Sequence, residues 1–496
     1  MRTSPSPPSL PRRGDGGRSF RVTPMVGITS YGAYVPMLRL PFGAIGGGGR
    51  QAGGGSGERA IAYFDEDAVT MAVAAGANCL EGIDRALVDG VLFASTSYPY
   101  KEKQAASVVA KALDLRRDVA TADFADSVRA GTTALRAAAD AVKAGSARHV
   151  LVVASDCRPA APRSALERNF GDGAAAFLVG ADAVAATIEQ HHAIADELID
   201  VWRMESDRFV RAWEDRFVVE HGYTSNTVEV IKGLLAKTGL SPQAFAKLVV
   251  YTPDARSWMA VARATGFDAK TQVQAPLFGQ LGNTGAAFAP MLLVAALEEA
   301  KPGSQLLVAN YGDGADACVF GVTDHVSALR RKRGLVWHLQ RRTEFSDYDK
   351  YLNFRNLQAS DVDRRAGQGL SATVHFRDRD EDISFHGHRC RRCGTEQFPF
   401  QRVCFACFAR DEFDAVRLSD RQGKVLSFTF DFFAGSPDPP LVVTGAEVDG
   451  GARVYLQMTD VRPKEVKLDL PVEFTFRKIH EYGGTPNYFW KCTPVR

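Results

Sequence analysis

The chain has 496 residues, which is too long for one hydrophobic core and predicts about three domains of ~100–200 residues each. Its 60 basic and 58 acidic residues nearly cancel, so the charge does not favour a nucleic-acid or membrane-surface protein. The hydrophobic fraction of 45% is that of a globular protein, and no apolar run is long enough to predict a transmembrane helix.

The stretch from residue 1 to residue 24 differs in composition from the rest of the chain. It is rich in Pro, Gly, Ser and Arg, and it lacks the apolar stretch of a signal peptide. Such a segment buries too little apolar surface to offset the entropy that ordering removes. We therefore predict a disordered tail over residues 1–24, with Met25 as an alternative first residue of the protein.

From residue 25 to residue 330, short β-rich apolar runs alternate with alanine-rich helical stretches. The predicted strands include Val91–Ala94, His149–Ala154, Leu248–Tyr251 and Gln305–Ala309. The predicted helices include Ala105–Leu113 and Ala130–Ala144, which are rich in strong helix formers. This alternation is typical of an α/β fold in which helices and sheets form layers.

Two Gly-Asp-Gly turns indicate an internal duplication. The turns at residues 171–173 and 312–314 each follow a predicted strand, and each leads into a strand of small residues. Glycine permits the backbone conformations that such turns need. We predict two similar halves, residues 25–180 and 181–330, and a chance match between short turns is the alternative.

The character of the chain changes after residue 330. Residues 331–375 are charged and mixed, and they predict a linker that contains a docking helix at Tyr348–Leu357. Residues 376–411 contain paired cysteines and form the predicted metal-binding domain. Residues 412–496 contain short strands at regular spacing, which is typical of a small β-barrel.

Four of the eight cysteines form two Cys-x-x-Cys pairs, made by Cys390, Cys393, Cys404 and Cys407. Each pair can direct two thiolates at one ion, and structural Zn²⁺ prefers a closed tetrahedron of four ligands. Because four thiolates leave no position for water, we predict structural zinc. This cysteine pattern is not that of a secreted disulfide framework, so we predict a reducing, cytoplasmic location.

Five segments between residues 25 and 325 together resemble the 3-hydroxy-3-methylglutaryl-CoA synthases of the archaeal type. They are GITSYGAYVPMLRL (27–40), DEDAVTMA (65–72), STSYPY (95–100), GDGAAAF (171–177) and LGNTG (281–285). The resemblance implies a duplicated thiolase-type fold with α-β-α-β-α layers. It also implies a homodimer and an acyl-CoA thioester as substrate.

The C-terminal part resembles small acyl-CoA-associated proteins that combine a rubredoxin-like zinc ribbon with an OB fold. That resemblance implies a zinc ribbon at residues 376–411 and an OB-fold domain at residues 412–496. Such proteins bridge a thiolase and the synthase, so a thiolase-like protein is an expected partner.

The catalytic positions of the family are altered in this chain. The family uses a Cys nucleophile, a Glu general acid/base and a His that polarises the thioester carbonyl. The motifs place Val128 at the Cys position, with Ser127 beside it, and Thr96 at the Glu position. Tyr251 stands at the His position. Asn283 matches the family's Asn, which can donate to a thioester oxygen.

Two interpretations of these substitutions remain open. In the first, the pocket makes or breaks a carbon–carbon bond by an aldol-type reaction that needs no acyl-enzyme. Tyr251, Asp123 or Asp126 would then shuttle protons, and Asn283 would hold the enolate oxygen. Ser127 is a further catalytic candidate, although no activating base is visible near it in the sequence.

In the second interpretation the pocket is catalytically silent, and the chain is a scaffold or channelling subunit of a thiolase complex. A third alternative is single-stranded nucleic acid binding by the OB fold, which the near-neutral charge disfavours. Cys157 follows a predicted strand and is an alternative sulfur nucleophile. Candidates for the pocket entrance are Arg203, Glu214 and Asp215, and a solvated charged face is the alternative.

Overall fold

The computed structural model describes residues 25–45, 57–329, 333–357, 372–482 and 485–496. The predicted tail at residues 1–24 lies outside the described residues. Within the described ranges, no helix combines the length and apolar character needed to cross a membrane.

The body of the molecule comprises the described residues from 25 to 357. Its strands are β1 (Gly27–Tyr34), β2 (Leu38–Pro41), β3 (Glu58–Ile61), β4 (Gly90–Ala94), β5 (Ala120–Phe124), β6 (Val150–Asp156), β7 (Gly173–Gly180), β8 (Ala186–Ala195), β9 (Val201–Trp202), β10 (Arg211–Ala212), β11 (Lys247–Val250), β12 (Gln305–Tyr311), β13 (Gly314–Val322) and β14 (Thr343–Glu344). Its helices are α1 (Phe42–Ile45), α2 (Ala68–Cys79), α3 (Ala106–Ala112), α4 (Ala130–Ala144), α5 (Ala165–Asn169), α6 (Asp215–Phe217), α7 (Ser225–Thr238), α8 (Trp258–Thr265), α9 (Phe288–Glu299), α10 (Leu335–Gln340) and α11 (Tyr348–Phe354).

The large sheet of the body has the strand order β11-β12-β13-β8-β1-β7-β6-β4-β5. In the first half β1 pairs antiparallel with β7, β7 antiparallel with β6, and β6 parallel with β4. The second half repeats this pattern, since β8 pairs antiparallel with β13, β13 antiparallel with β12, and β12 parallel with β11. The halves meet through the short β1–β8 pairing. The two halves of the large sheet therefore share one strand topology.

Helices cover the sheet in equivalent ways in the two halves. Helix α2 contacts β1, β7 and β6, and α7 makes the matching contacts with β8, β13 and β12. Helices α4 and α9 contact each other, and α9 contacts strands of both halves. Most residues of α9 are buried, as expected for a helix that is apolar on all sides. These contacts indicate layers in the order helix, sheet, helix, sheet, helix through the body.

The start of α4 is tightly packed, and this packing positions the candidate site. A Cβ atom at Gly131 would lie 2.4 Å from the carbonyl oxygen of Ala286, so only glycine permits this approach. Residues 285–287 form a 3-10 turn directly before α9. The Asn-Thr-Gly segment at residues 283–285 therefore lies beside the first turn of α4.

The C-terminal region comprises the described residues from 372 to 496. Its elements are α12 (Ala372–Asp382), β15 (His386–Cys390), β16 (Glu396–Gln397), β17 (Phe413–Arg417), β18 (Gly423–Asp431), β19 (Leu441–Val448), β20 (Arg453–Met458), β21 (Pro471–Tyr482) and β22 (Thr485–Pro494). Strands β15–β17 form a small sheet, and β18–β22 form a five-stranded sheet that closes on itself, in the order β18-β19-β20-β22-β21. We call the second of these the closed sheet.

A cluster of buried charges fixes the closed sheet to the body. We call it the interdomain ion cluster, and its members are Tyr34, Asp65, Glu66, Asp460, Arg477 and Lys491. The Lys491 Nζ atom lies 2.8 Å from a carboxylate oxygen of Asp65. The Arg477 guanidinium lies 3.2 Å from Glu66 and 3.1 Å from Asp460. Buried charges of this kind are stable only when they are paired, so the closed sheet is docked and not loosely tethered.

The predicted docking helix forms as α11, within the segment predicted to be a linker. Its buried aromatic residues pack against β2 and β3 residues in a separate small core. Directly after it, Arg355 donates to Asp172 at 2.7 Å and to the backbone carbonyl of Cys157 at 3.3 Å. The segment thereby supports the first Gly-Asp-Gly turn and the chain that leaves β6.

Candidate functional site

A cavity of about 670 Å³ lies at the carboxyl ends of β4 and β6. These strands are parallel neighbours, and Ala94 of β4 is paired with Ala154 of β6. The cavity is lined by Thr96, residues 126–128, Arg158, residues 195–203, Val210 and residues 312–313. Ligands in α/β folds commonly bind beyond the carboxyl ends of parallel strands, so this cavity is the candidate active site.

A hydroxyl–carboxylate pair joins Thr96, which lines the cavity, to Asp156, which is buried behind it. The Thr96 hydroxyl donates to Asp156 at 2.9 Å, and the Thr96 backbone N–H donates to the same carboxylate at 2.8 Å. Ser95, Ser97 and the backbone of Ala286 also donate to Asp156, which is fully buried. Asp156 therefore supplies a carboxylate directly behind the position predicted to correspond to the family's Glu.

Ser127 and Val128 line the cavity at the start of α4. The Ser127 Oγ atom accepts a hydrogen bond of 3.2 Å from the backbone N–H of Arg129. Gly312 comes close to it, because a Cβ atom at that glycine would lie 2.7 Å from the Ser127 Oγ. The cavity lining contains no histidine, so Ser127 has no imidazole base there among the described residues.

Tyr251 and Asn283 lie together, in the buried layer next to the cavity. Their exposed fractions are 5% and 1%, and neither is a lining residue. The Asn283 side chain donates to the Thr252 carbonyl at 3.0 Å and interacts with the Tyr251 phenol. Burial raises the pKa of Tyr251, whereas Arg158 and Asn283 lower it to a smaller extent. The phenol therefore stays protonated at neutral pH and can act as a proton donor.

The Asp123 carboxylate binds the backbone at the start of α3 and does not line the cavity. Its carboxylate accepts hydrogen bonds from the backbone N–H groups of Ala105 and Ala106, at 2.6 and 2.8 Å. These groups belong to the start of α3, where a carboxylate satisfies otherwise unpaired donors. Asp123 is absent from the cavity lining, whereas the alternative candidate Asp126 is present.

Arg158 is the buried cation of the cavity. Its exposed fraction is 6%, and its guanidinium carbon lies 4.1 Å from the centre of the Phe170 ring. The Nε atom is buried and has no hydrogen-bond acceptor among the described residues. Arg203, which was a candidate for the entrance, also lines the cavity but is exposed.

No cysteine belongs to the described lining of the cavity. Cys157 is the nearest in sequence to the lining residues, and its backbone N–H donates to Ser97 at 2.9 Å. Burial raises the pKa of the Cys157 thiol to about 12. Because the thiolate is the nucleophilic form, the alternative nucleophile predicted at Cys157 is disfavoured at neutral pH.

The cavity therefore offers hydroxyl groups, several carboxylates and two guanidinium groups, without a sulfur or imidazole group in its described lining. Hydroxyl and carboxyl groups can transfer protons, and a guanidinium stabilises negative charge. Asp156 and Arg158 were not predicted as site residues from the sequence. The available signal was the position of Asp156 at the end of β6 and of Arg158 just after it, beside the Ser-Thr-Ser segment that follows the neighbouring strand β4.

The four predicted metal ligands lie together in the C-terminal region. The Sγ atoms of Cys390, Cys393, Cys404 and Cys407 are all within 4.8 Å of one another. The Cys390–Cys407 and Cys393–Cys404 sulfur distances are both 3.6 Å. A tetrahedral zinc site with Zn–S bonds of about 2.3 Å places its sulfur atoms about 3.8 Å apart. The donor set and the spacing both fit Zn²⁺.

Comparisons with known proteins agree with the observed topology. Residues 122–197 match the family model of 3-oxoacyl-[acyl-carrier-protein] synthase III. The structure aligns with MvaS in complex with 3-hydroxy-3-methylglutaryl coenzyme A, with a TM-score of 0.58 and 20% identity over 70% of this chain and 95% of that chain. It also aligns with 3-oxoacyl-(acyl carrier protein) synthase III from Pseudomonas aeruginosa PAO1, with a TM-score of 0.55 and 20% identity over 60% of this chain and 98% of that chain. At these identities the alignments support the thiolase-like fold.

A closer similarity exists at the level of sequence. The hydroxymethylglutaryl-CoA synthase of Pyrococcus horikoshii is 31% identical over 346 residues, which cover 68% of this chain and 98% of that protein. That alignment is much longer than the C-terminal region, so most of the aligned residues belong to the body. The chain belongs to the hydroxymethylglutaryl-CoA synthase family.

Proposed function

We propose that the protein binds an acyl-CoA thioester in the cavity and makes or breaks a carbon–carbon bond without an acyl-cysteine intermediate. The observation that carries the proposal is the lining of the cavity. Thr96, Ser127 and Val128 face it, the Asp156 carboxylate lies behind Thr96, and no cysteine belongs to the described lining. Relatives named hydroxymethylglutaryl-CoA synthases and a structure of such a synthase with CoA support a CoA thioester as the ligand.

Aldol-type cleavage of a β-hydroxyacyl-CoA fits these residues. A base removes the proton of the β-hydroxyl group, the Cα–Cβ bond breaks, and the products are a carbonyl compound and a CoA enolate. The enolate carbon then takes a proton. The Thr96–Asp156 pair is suited to accept and relay the first proton, and the protonated Tyr251 phenol is suited to donate the second. The addition runs through the same steps in reverse.

The purified full-length protein tests this proposal directly. One assay supplies acetyl-CoA with acetoacetyl-CoA, and another supplies a β-hydroxyacyl-CoA and detects the carbonyl product. Turnover by the chain alone supports an enzyme. Binding of CoA esters with no turnover in either assay, followed by turnover when a thiolase is added, supports the scaffold instead.

The scaffold is retained as the second candidate because of one observation. Asn283 is buried, and its amide group already binds the backbone at Thr252 and Gly285. A residue held in this way can serve the packing of the fold without contacting a substrate. A channelling subunit that passes an acyl-CoA to a thiolase-like partner would need the cavity but not the proton transfers. Binding of single-stranded nucleic acid is a third, less favoured function of the closed sheet.

The C-terminal region is proposed to be a zinc ribbon followed by an OB-type barrel. The four clustered thiols support structural zinc, and the five-stranded closed sheet supports the OB assignment. A homodimer is supported by the position of β5 at the outer edge of the large sheet, where a second copy can pair. A reducing cytoplasmic location agrees with the lack of a disulfide at any of the eight cysteines, all of which are described in the structure.

A further inference from the structure

Arg355 is a buried arginine that joins two segments adjoining the candidate site. It stands at the C-terminal end of α11, and 11% of its side chain is exposed. Its guanidinium donates to the Asp172 carboxylate at 2.7 Å and to the Cys157 backbone carbonyl at 3.3 Å. Because buried aromatic residues of α11 hold the helix in its own small core, the guanidinium enters the body from a fixed position. The two bonds tie the chain after β6 to the first Gly-Asp-Gly turn.

The contact with Cys157 fixes the backbone between two residues of the candidate site. Cys157 stands between Asp156, the buried carboxylate of the site, and Arg158, which lines the cavity. Its backbone N–H donates to the Ser97 hydroxyl at 2.9 Å, and its carbonyl accepts from Arg355. The peptide groups on both sides of Cys157 are therefore hydrogen-bonded, which limits how far the flanking side chains can move.

The contact with Asp172 fixes the turn that pairs with Asn283. Asp172 is 1% exposed, and its carboxylate also accepts from the backbone N–H of Ala62 at 2.7 Å. The backbone N–H of the preceding residue, Gly171, donates to the Asn283 carbonyl at 2.9 Å. A Cβ atom at Gly171 would lie 2.0 Å from the Leu281 carbonyl oxygen, so the turn packs directly on that segment. A displacement of Asp172 would therefore displace the segment that carries Asn283.

We propose that Arg355 is a positioning residue for the candidate site, acting through the two segments that it joins. The inference rests on the proposed carbon–carbon bond reaction, and Arg355 itself is not a lining residue of the cavity. A guanidinium holds several N–H donors in one plane, so it binds a carboxylate and a carbonyl at the same time. An ammonium is a compact point charge on a flexible chain, so Arg355→Lys should hold the two acceptors less firmly.

Steady-state kinetics and calorimetry on full-length Arg355→Lys test the inference, with the CoA ester that the native protein turns over. We expect kcat to fall about tenfold or more, because small displacements of reacting groups are costly in rate. The Kd for the same ester should stay within about threefold of the native value, since Arg355 is outside the cavity lining. Hydrogen exchange measured by mass spectrometry should rise at residues 154–159 and 281–285, and this readout needs no turnover.

Arg417→Lys is the matched control. Arg417 has a 12% exposed side chain, donates to the Ala112 carbonyl at 3.1 Å and pairs with Asp420 at 3.1 Å. None of these three residues lines the cavity. Arg417→Lys should lower the Tm to a similar extent as Arg355→Lys, but it should keep the native kcat and the native exchange at both segments. Asp172→Asn weakens the Arg355 contact from the acceptor side, so it keeps the test valid if Arg355→Lys does not fold.

Native kcat and native exchange in Arg355→Lys would overturn the inference and leave the proposed function intact. An equal fall of kcat in Arg417→Lys would also overturn it, because lost stability would then explain the effect. Absence of turnover in the native protein would overturn the proposed reaction instead. Hydrogen exchange at the two segments would then decide by itself whether Arg355 holds them in position.

Discussion

The proposed proton transfer in the candidate site depends on a few buried side chains whose orientations are fixed. Asp156 is held by donors from three consecutive residues, Ser95 to Ser97, so its position relative to the cavity is determined by the ends of β4 and β6. Tyr251 lies in the adjoining layer, where the backbone N–H donates to the Ala309 carbonyl at 3.0 Å. Both groups are therefore held in fixed positions in the buried layer next to the cavity.

Tyr251→Phe should abolish aldol-type activity, because it removes the phenol that donates the proton to the enolate. A loss of about 10²-fold or more in kcat is expected for a general acid. CoA-ester affinity should change little, since Tyr251 is outside the cavity lining. Tyr100→Phe is the matched control and should keep native turnover. Unchanged kcat in Tyr251→Phe would remove this residue from the mechanism.

Asp316 provides a pH-dependent test at the residue scale. Burial raises its pKa from 3.8 to about 7, and the Thr132 hydroxyl binds both carboxylate oxygens at 2.9 Å. Between pH 4 and pH 7 the folded state therefore keeps a proton on Asp316 that the unfolded state releases. The contribution of Asp316 to the free energy of unfolding is largest below pH 4 and is lost as the pH rises to 7. Three pKa units correspond to at most about 4 kcal/mol.

Asp316→Asn should remove that pH-dependent loss. Urea unfolding of the native protein and the variant at pH 5 and pH 7.5 measures the difference in their stabilities. We expect the free energy of unfolding of the variant, minus that of the native protein, to be larger at pH 7.5 than at pH 5. Asp140→Asn, at an exposed position of α4, should show no such increase. A constant difference between native and Asp316→Asn protein at both pH values would contradict the assignment.

At the residue scale, the sequence predicted the clustering of four cysteines better than the lining of the cavity. The four cysteines are close in sequence, so their spacing alone predicts the cluster. Asp156 and Arg158 become site residues only because β6 lies beside β4, which is a long-range pairing. Asp123 resembles a catalytic carboxylate in sequence, but its position relative to α3 is set by tertiary structure.

At the scale of elements, local patterns predicted most of the core strands and helices. The run at His149–Ala154 corresponds to β6 and the stretch Ala130–Ala144 to α4. Strand β22 was not predicted, because its sequence has a proline near each end and proline usually weakens a strand assignment. The closed sheet needs this strand, since β22 lies between β20 and β21.

Cys404→Ser tests the proposed zinc ribbon as an element. Removal of one of four ligands should lower bound zinc from about one equivalent to well below it, measured by mass spectrometry of the metal content. The ribbon should lose stability, while CoA-ester binding in the body should persist. Cys318→Ser removes a thiol outside the ribbon and should keep its zinc. Equal zinc content in Cys404→Ser and the native protein would contradict the proposed ligand set.

At the scale of the whole molecule, the C-terminal region is packed against the body through buried contacts. The closed sheet packs against α2, and its Tyr488 hydroxyl donates at 2.7 Å to Asp67, which caps that helix. Composition could not predict this docking, because the contacts join residues that are far apart in the sequence. The interdomain ion cluster joins residues more than 400 positions apart in sequence, as in the Lys491–Asp65 pair with a separation of 426.

Arg477→Met tests how firmly this docking holds the molecule together. The substitution leaves Asp65, Glu66 and Asp460 with fewer buried cations, which should destabilise the protein by about 3–5 kcal/mol. Arg333→Met breaks a more exposed ion pair with Glu473 and should cost at most about 1 kcal/mol. Urea unfolding compares the two variants, and equal midpoints would show that the cluster does not stabilise the docked arrangement.

The central claim is that an acyl-CoA reacts in this protein without attachment to a cysteine. Intact-protein mass spectrometry after incubation with acetyl-CoA or acetoacetyl-CoA and rapid acid quenching tests it most directly. We expect the mass of the unmodified chain, together with bound CoA ester under native conditions. A thioester adduct mapped to any cysteine between residues 25 and 325 would contradict the account.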